Sequence, residues 1–441
     1  MTTGLLTDHY ELTMIKAALR TGAAHRRTTF EMFARQLPPG RRYGVVAGTG
    51  RFLDALAGFG YTAAELDFLR STGVVDEPTA EYLASYRFTG SIWGYAEGEC
   101  FFPGSPILVV DAPFAEAVVL ETLALSIFNH DCAIAAAASR MVSAAAGRPI
   151  IEMGSRRTHE LAAVAAARAA YLAGFASTSN LRAGLDYGIP TAGTSAHAFT
   201  LLHDSERQAF SVQLKTLGTG TTLLVDTYDV ATAVATAVEL AGRELGAVRI
   251  DSGDLASVSR AVRAQLDSLG AATTKIVITG DLDEHAIAAL SSAPADGYGV
   301  GTSVVTGAGA ATAGLVYKLV ARSAGGPDEL PVAKRSAGKP TIGGRKWAVR
   351  ALDESGMAKA EIISSAPPPR LDHAQRDHTR PLLRQLVRNG EIVGAEPLAR
   401  ARTRHQQALA ELPASATDIS PGGPAIPTRF EDQLAGDGSD S

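Results

Sequence analysis

The chain has 441 residues, 46% of them hydrophobic and 20% charged, enough to bury two or three cores and unlike a fibre or a disordered segment. With 41 Lys and Arg against 46 Asp and Glu, the net charge of −5 leaves no footprint for nucleic acid or an anionic membrane, so an anionic ligand has to be held by local arginines and backbone amides. The two cysteines, Cys100 and Cys132, belong to no CxxC or Cys/His pattern, which argues against a disulfide scaffold and a structural zinc.

In chain order, TDHYELTMIKAALRTG predicts a helix. Asp8 and Glu11 stand early in it and no cleavage pattern follows, so these residues do not read as a secretory leader and the expectation is a cytoplasmic protein. TTFEMFARQLP and RFTGSIWGYAEGECFFPGSPILVVDAP read as strands, making residues 1–112 an N-terminal α/β domain. The most apolar stretch, from Pro113 to Gly147, is interrupted by Glu116, Glu121, His130, Asp131 and Arg140, and reads as a buried core helix instead of a membrane span.

Short apolar runs then recur: PIIEMG, AGFAST, IPTAGT, TTLLVDTYD, AVRIDSGD, KIVITGDL and DGYGVGTS. Helical patterns such as TYDVATAVATAVELAGRELG and DLASVSRAVRAQLDSLG separate most of them. Strand, loop and helix in alternation predict parallel strands with crossover helices, and this many strands favour a closed or nearly closed barrel, assigned to residues 113–320. LVYKLVARSAG and LPVAKRSAGKPTIGGRKWAVRALD alternate like hairpin strands, so residues 321–411 are expected to return to the N-terminal domain. Residues 412–441, rich in Pro, Gly, Ser and Asp, are expected to form a mobile tail. The expected fold is therefore α/β: an irregular TIM-like barrel with a second α/β domain built from both chain ends.

A barrel should collect its chemistry at the carboxyl ends of its strands. Those ends carry Arg156 and Arg157, then Ser177 to Asn180, His197, Asp226 and Asp229, Asp251 and Asp254, Gly280 and Asp281, and Gly301 and Thr302. A lone histidine there is more often a structural hydrogen-bonder than a catalyst. Repetition of chemically active types at one end shifts His197 towards function. In RIDSGD, Asp251 can meet vicinal sugar hydroxyls, while Asp254 can meet a second hydroxyl or a hydrated Mg2+, or simply cap the next helix. ITGDLDE and GYGVGTSVVTGAG place glycines at two successive strand ends, where freed backbone amides can cradle a phosphate. No GK[ST] follows and no GxGxxG spacing is present, so neither is a Walker loop or a dinucleotide fingerprint. The paired guanidiniums of EMGSRRTHE suit a carboxylate or pyrophosphate, or a surface salt bridge.

Together, TDHYELTM, FARQLP, EMGSRRTHE, STSNLRAG, GIPTAGTSAHAF, LLVDTYD, RIDSGD and YGVGTSVVTG occur in the order seen in nicotinate phosphoribosyltransferases, and the chain closely resembles that family up to about residue 350. The resemblance implies a type II phosphoribosyltransferase of NAD salvage, joining nicotinate to phosphoribosyl pyrophosphate with Mg2+ and coupled ATP hydrolysis. It implies that His197 is transiently phosphorylated by ATP and that Asp251 holds the ribose hydroxyls of the donor. Gly280, Gly301 and Thr302 would surround the 5′-phosphate, Arg156 would lie near the pyridine ring, and Arg249 near the pyrophosphate or base. Tyr10 would reach a neighbouring subunit's site and stack on nicotinate, which implies a homodimer. Asn180 stands where related nicotinamide-using enzymes place an Asp, and Met153 where the family usually has an aromatic residue. Arg157, Ser177, Thr194, Asp254 and Asp281 complete the expected substrate-binding group, and Asp226 and Asp254 are the candidate Mg2+ ligands. Nicotinamide or quinolinate transfer is the nearest alternative. A phosphatase or aldolase barrel is a more distant one, although no lysine stands at these strand ends to form a Schiff base. A non-catalytic phosphate-binding barrel is the remaining alternative.

Overall fold

The computed structural model describes residues 2–325, 329–334, 341–367 and 378–431. It divides into two compact units, residues 1–133 with 310–441, and residues 134–309.

The first unit is built on a seven-stranded sheet in the order Glu329–Pro331, Leu315–Ser323, Arg27–Ala34, Leu108–Pro113, Ser91–Tyr95, Leu383–Arg388, Glu391–Ile392, antiparallel throughout. The strand Arg27–Ala34, third in that order, reads RTTFEMFA and is buried along nearly its whole length, with Phe30 stacked on Tyr317 at 4.9 Å between ring centres. Glu31 points into this unit against Lys346, 2.8 Å away, with both side chains buried. The helix His9–Arg20 begins at a capping box, in which Asp8 takes backbone donors and Glu11 returns to the Asp8 amide, as the DHYE spacing allows.

The expected domain borders at 112 and 320 differ from the unit borders at 133 and 309. Leu120, Leu123 and Phe128 are buried in the first unit's core, and Leu315–Ser323 pairs along Arg27–Ala34. The expected mobile tail also needs correction up to residue 431. Leu412, Ala416 and Ile426 are buried, and Thr428–Phe430 adds in parallel to Ala358–Ser364, because apolar side chains spaced along the segment anchor it. The last ten residues of that tail, 432–441, lie outside the described residues. The helical stretch 114–144 is long and apolar enough to cross a membrane, but 67% of its most apolar window is buried inside the protein.

The second unit carries a six-stranded sheet in the order Ser177–Thr178, Ile150–Glu152, Gly297–Val300, Lys275–Ile278, Ala247–Ile250, Thr222–Leu224. Every pairing is parallel. The strands are short and apolar, with Leu223, Val248, Ile250, Ile276, Ile278 and Val300 all at 0% exposure, as expected where helices cover a parallel sheet. Glu160–Leu172, Val230–Ala241 and Leu255–Ser268 are among the crossover helices, and the first buries a run of alanines from Ala163 to Ala170.

The expected closed or nearly closed barrel appears as an open hydrogen-bonded sheet. Its edge strands are Ser177–Thr178 and Thr222–Leu224, and IPTAGT contributes only an isolated bridge between Thr178 and Thr191. Pro190 has no N–H to extend a ladder. The segment is held by Thr178 N donating to Pro190 O at 3.0 Å and Ala192 N donating to Thr178 O at 2.9 Å, after which the chain leaves the sheet. What would have been a strand becomes part of the wall of a cavity.

Candidate active site

The carboxyl ends of these strands surround a cavity of about 380 Å³, within the ordinary size range of small-ligand sites. Ile150–Glu152 hands over to Met153, Ser155, Arg156 and Arg157 on its wall, and Ala247–Ile250 contributes Arg249 and Asp251. Lys275–Ile278 leads into Thr279, Gly280 and Asp281, and Gly297–Val300 supplies Gly299 and leads into Gly301 and Thr302. The segment that left the sheet adds Ala192 to Ala196, including Thr194.

Three guanidiniums give the cavity its anion-holding character. Arg156 and Arg157 form no ion pair among the described residues, so both retain donors for a ligand. Arg249 donates to Thr194 Oγ1 at 3.0 Å, while its Nε is buried without a partner. Burial is the largest influence on Arg249 and lowers its pKa, with Arg156 pushing the same way and Asp251 and Asp226 opposing. An anionic ligand would relieve that burial cost.

The carboxylates are held as one connected group. Thr279, 3% exposed, donates its hydroxyl to Asp251 Oδ1. The Asp251 amide donates to Asp226 Oδ2 at 3.0 Å, and the Ser252 hydroxyl to the same atom at 2.7 Å. Asp226 Oδ1 is buried with no hydrogen bond and lies 3.9 Å from His197 Nε2. His197 opens the helix His197–Leu202, keeps 40% of its side chain exposed, and places Nδ1 3.1 Å from Thr227 Oγ1. The ring is thus not among the cavity-lining residues, but Ser195 and Ala196 just before it are, and Asp226 connects it to the Asp251 loop.

The glycines are sterically required. Gly280 has φ +112°, and a Cβ there would stand 2.4 Å from Asp251 O. A Cβ on Gly299 would meet Thr279 Cγ2 at 2.5 Å and Met153 Sδ at 2.8 Å. Asp281, next to Gly280, is held at φ 41°, an uncommon conformation for a residue with a side chain.

Of the residues singled out in the sequence, the cavity brings together Met153, Arg156, Arg157, Thr194, Arg249, Asp251, Gly280, Asp281, Gly301 and Thr302. Ser177, Asn180, Asp226 and Asp254 are not on its wall. Ser177 pairs in its strand with Ile151. Asn180 caps the helix Leu181–Tyr187, and Asp254 caps Leu255–Ser268 by accepting from Ser257 N at 3.1 Å and Ser257 Oγ at 2.8 Å. Among the described residues no group of three or more His, Cys, Asp or Glu side chains is arranged to hold a metal ion. Tyr10 belongs to the other unit, on the helix His9–Arg20, 45% exposed, its phenol pushed up to about 12 by partial burial, with Glu121 and Glu11 adding. Sequence reasoning missed Ser155, Thr279 and Gly299, each one or two positions from a residue it did name, while Ser179, within the Ser177 to Asn180 stretch it did name, is on the wall.

The N-terminal domain model of nicotinate phosphoribosyltransferase (NAPRTase) matches residues 5–129, and the model of the nicotinate phosphoribosyltransferase (NAPRTase) family matches residues 149–326. The chain is similar to nicotinate phosphoribosyltransferase pncB1 of Mycobacterium tuberculosis, with 58% identity over 97% of this chain and 95% of that protein. It is 37% identical to nicotinate phosphoribosyltransferase of Bacillus subtilis, over 80% of this chain and 74% of that one. Among solved structures, human nicotinic acid phosphoribosyltransferase superposes with a TM-score of 0.80 at 26% identity, covering 98% of both chains.

Proposed function

The chain belongs to the nicotinate phosphoribosyltransferase family, and on that footing we propose how its own residues carry the reaction. The ring nitrogen of nicotinate attacks the anomeric carbon of phosphoribosyl pyrophosphate. The bond to pyrophosphate breaks, and nicotinate mononucleotide and pyrophosphate leave as a step of NAD biosynthesis. The observation that carries this reading is one cavity lined by Arg156 and Arg157, which form no ion pair among the described residues, by Gly280 and Gly301, and by Asp251.

The nitrogen lone pair is already free, so no general base is needed, and the transition state is oxocarbenium-like as in other glycosyl transfers. Catalysis then reduces to positioning and charge stabilisation. Asp251, with Oδ1 fixed by Thr279, offers Oδ2 to the ribose diol. The amides around Gly280, Gly301 and Thr302 take the 5′-phosphate, and Arg249, Arg156 and Arg157 take the charge that develops on pyrophosphate and the carboxylate of the base. Asp226, whose buried Oδ1 has no hydrogen-bond partner, would be the residue to hold a hydrated Mg2+. When bound, Mg2+ supplies charge neutralisation for the leaving group.

ATP coupling belongs to the same proposal. His197 is exposed enough to accept a phosphoryl group, and Asp226 touches both it and the Asp251 loop. A charged phosphohistidine there would change the order and donor affinity of that loop. The shared homodimeric site with Tyr10 and a cytoplasmic location complete the reading. Purified protein incubated with nicotinate, phosphoribosyl pyrophosphate, Mg2+ and ATP should yield nicotinate mononucleotide, with nicotinamide and quinolinate as poorer substrates. Absence of product, or preference for another base, overturns it.

A further inference from the structure

A second cavity, of about 480 Å³, belongs wholly to the first unit, and none of the residues given a part in the reaction lines it. One wall is the helix His9–Arg20 and its end, where Met14, Ala17, Ala18 and Thr21 share a face at i, i+3, i+4 and i+7 spacing. The two alanines are short, which leaves room beside the sheet, and Phe114 and Leu319 add apolar surface.

The sheet brings two arginines to the same cavity. Thr28 pairs with Arg322 across the antiparallel strands Arg27–Ala34 and Leu315–Ser323, so both side chains leave one face of the sheet. Arg26 stands two residues before Thr28 with an extended backbone, φ −64° and ψ 134°, and its side chain goes to that face as well. Neither Arg26 nor Arg322 forms an ion pair among the described residues. The acid on the adjoining strand is already engaged: Asp111 accepts from Thr29 Oγ1 at 2.9 Å and from Arg345 Nε at 3.1 Å. Two like charges side by side on one sheet face carry a cost that a bound anion removes.

The other polar groups of the wall are spent. Thr28 Oγ1 donates to Ala112 O at 2.9 Å and Thr21 Oγ1 to Ala18 O at 3.1 Å, while Arg322 makes one long contact, Nη1 to Ser323 O at 3.5 Å. The guanidiniums are therefore the side-chain donors left to a ligand, and the rest of the surface is apolar. We propose that this cavity binds a small amphipathic carboxylate, its hydrocarbon body against Met14, Phe114 and Leu319 and its head between Arg26 and Arg322. Each carboxylate oxygen meets one planar guanidinium fork, whereas the third oxygen of a phosphate head would find no side-chain donor. An uncharged or cationic head would leave both arginines unpaired.

Octanoate is the probe, with n-octanol, octyltrimethylammonium and octyl phosphate as matched chains bearing other heads. Calorimetry on the full chain should give saturable octanoate binding at least about tenfold tighter than octanol, and none of the cation. Arg26→Gln with Arg322→Gln should weaken octanoate about tenfold or more and abolish its advantage over octanol. Ala17→Trp, which fills the space, should remove both, with melting temperatures as the control for folding. Arg156→Gln alters the cavity of the other unit and should leave the octanoate Kd within about twofold, since sites this far separated in role share no partner. Equal affinity for octanoate and octanol in the wild type would overturn the proposal, as would tighter binding of octyl phosphate. So would octanoate binding that survives the double arginine substitution or falls with Arg156→Gln. Light scattering on the same proteins supplies the last outcome: no octanoate bound by the wild type, together with loss of self-association in the double variant, would give the face to a second copy of the chain and overturn the ligand site.

Discussion

Alanine at position 280 is the sharpest test of the link between the phosphate cradle and the ribose-binding carboxylate. Gly280 holds φ +112°, where an L residue is strained by about 1–3 kcal/mol. The added Cβ would also stand 2.4 Å from Asp251 O, a backbone atom that cannot swing aside. Relief requires the two strand ends to separate, an overpacking cost of about 1–3 kcal/mol more. The backbone displaced in this way is the one that carries the Asp251 side chain, so the damage reaches the donor site and not only stability. Initial rates at varied phosphoribosyl pyrophosphate should show a donor KM raised tenfold or more, equivalent to about 1.4 kcal/mol or above, with a much smaller change for nicotinate. Thermal unfolding should move down by several degrees. A donor KM within about twofold of wild type, together with a melting temperature within about 1 °C, would refute the steric reasoning.

Asp251→Ala should abolish donor binding in calorimetry, since each hydrogen bond to a charged acceptor contributes roughly 1.5–3 kcal/mol, and intact donor affinity would remove Asp251 from that role. Thr279→Val keeps the shape and deletes the donor to Asp251, so the donor KM should rise several-fold and Thr279→Ser should recover most of it. Recovery by serine failing would point to packing instead of hydrogen bonding. His197→Ala should lose the acid-labile, base-stable label left by γ-labelled ATP and the ATP-dependent gain in donor affinity, while basal transfer at saturating donor survives; a variant that keeps the label places the phosphoryl group elsewhere. His405 is buried against Gly98 O in the first unit, and burial holds its imidazole down at about 4. Its folded pKa lies below the unfolded one, so its stability contribution is whole above about pH 6.5 and is lost as pH falls towards 4, about 3 kcal/mol in all. Denaturant midpoints between pH 7 and 4 should show that slope, and His405→Gln should flatten it.

The parallel sheet could be read from the sequence because fully buried strands leave a signal that needs no partner to be seen, short apolar runs such as KIVI and AVRI followed by glycine or aspartate. The IPTAGT run carried the same signal and formed only a bridge. Apolarity reports burial, whereas a ladder also needs N–H groups, and Pro190 lacks one. The tail misled in the opposite sense: its Pro, Gly and Ser content hid the anchors Leu412, Ala416 and Ile426, too widely spaced to show a period. In the site, the arginines and glycines named in the sequence were found on the cavity wall, whereas the carboxylates divided, with Asp251 and Asp281 on it and Asp226 and Asp254 off it. Asn180 and Asp254 each precede a helix, and the capping alternative given above for Asp254 applies to Asn180 from the same position. Thr279 and Ser155 gave no local signal, because a hydroxyl becomes informative only when the group it meets is known. Asp251 is 28 residues from Thr279 and Asn180 is 25 from Ser155.

The chain's two ends meet in the central sheet of the first unit, and this sets the order in which the molecule can be completed during synthesis. Arg27–Ala34 is flanked on one side by Leu108–Pro113, available early, and on the other by Leu315–Ser323. The Glu31 carboxylate meets the Lys346 ammonium across 315 residues of sequence. At ribosomal rates of about 5–20 residues per second, roughly 15–60 s separate the emergence of these partners. During that interval the strand has an open edge and an unneutralised acid, while the 134–309 unit between them emerges in full. A nascent chain stalled before residue 315 should therefore present a finished phosphoribosyl-transfer unit beside an unsealed sheet edge, the point at which chaperone contact or mispairing with another nascent chain would fall.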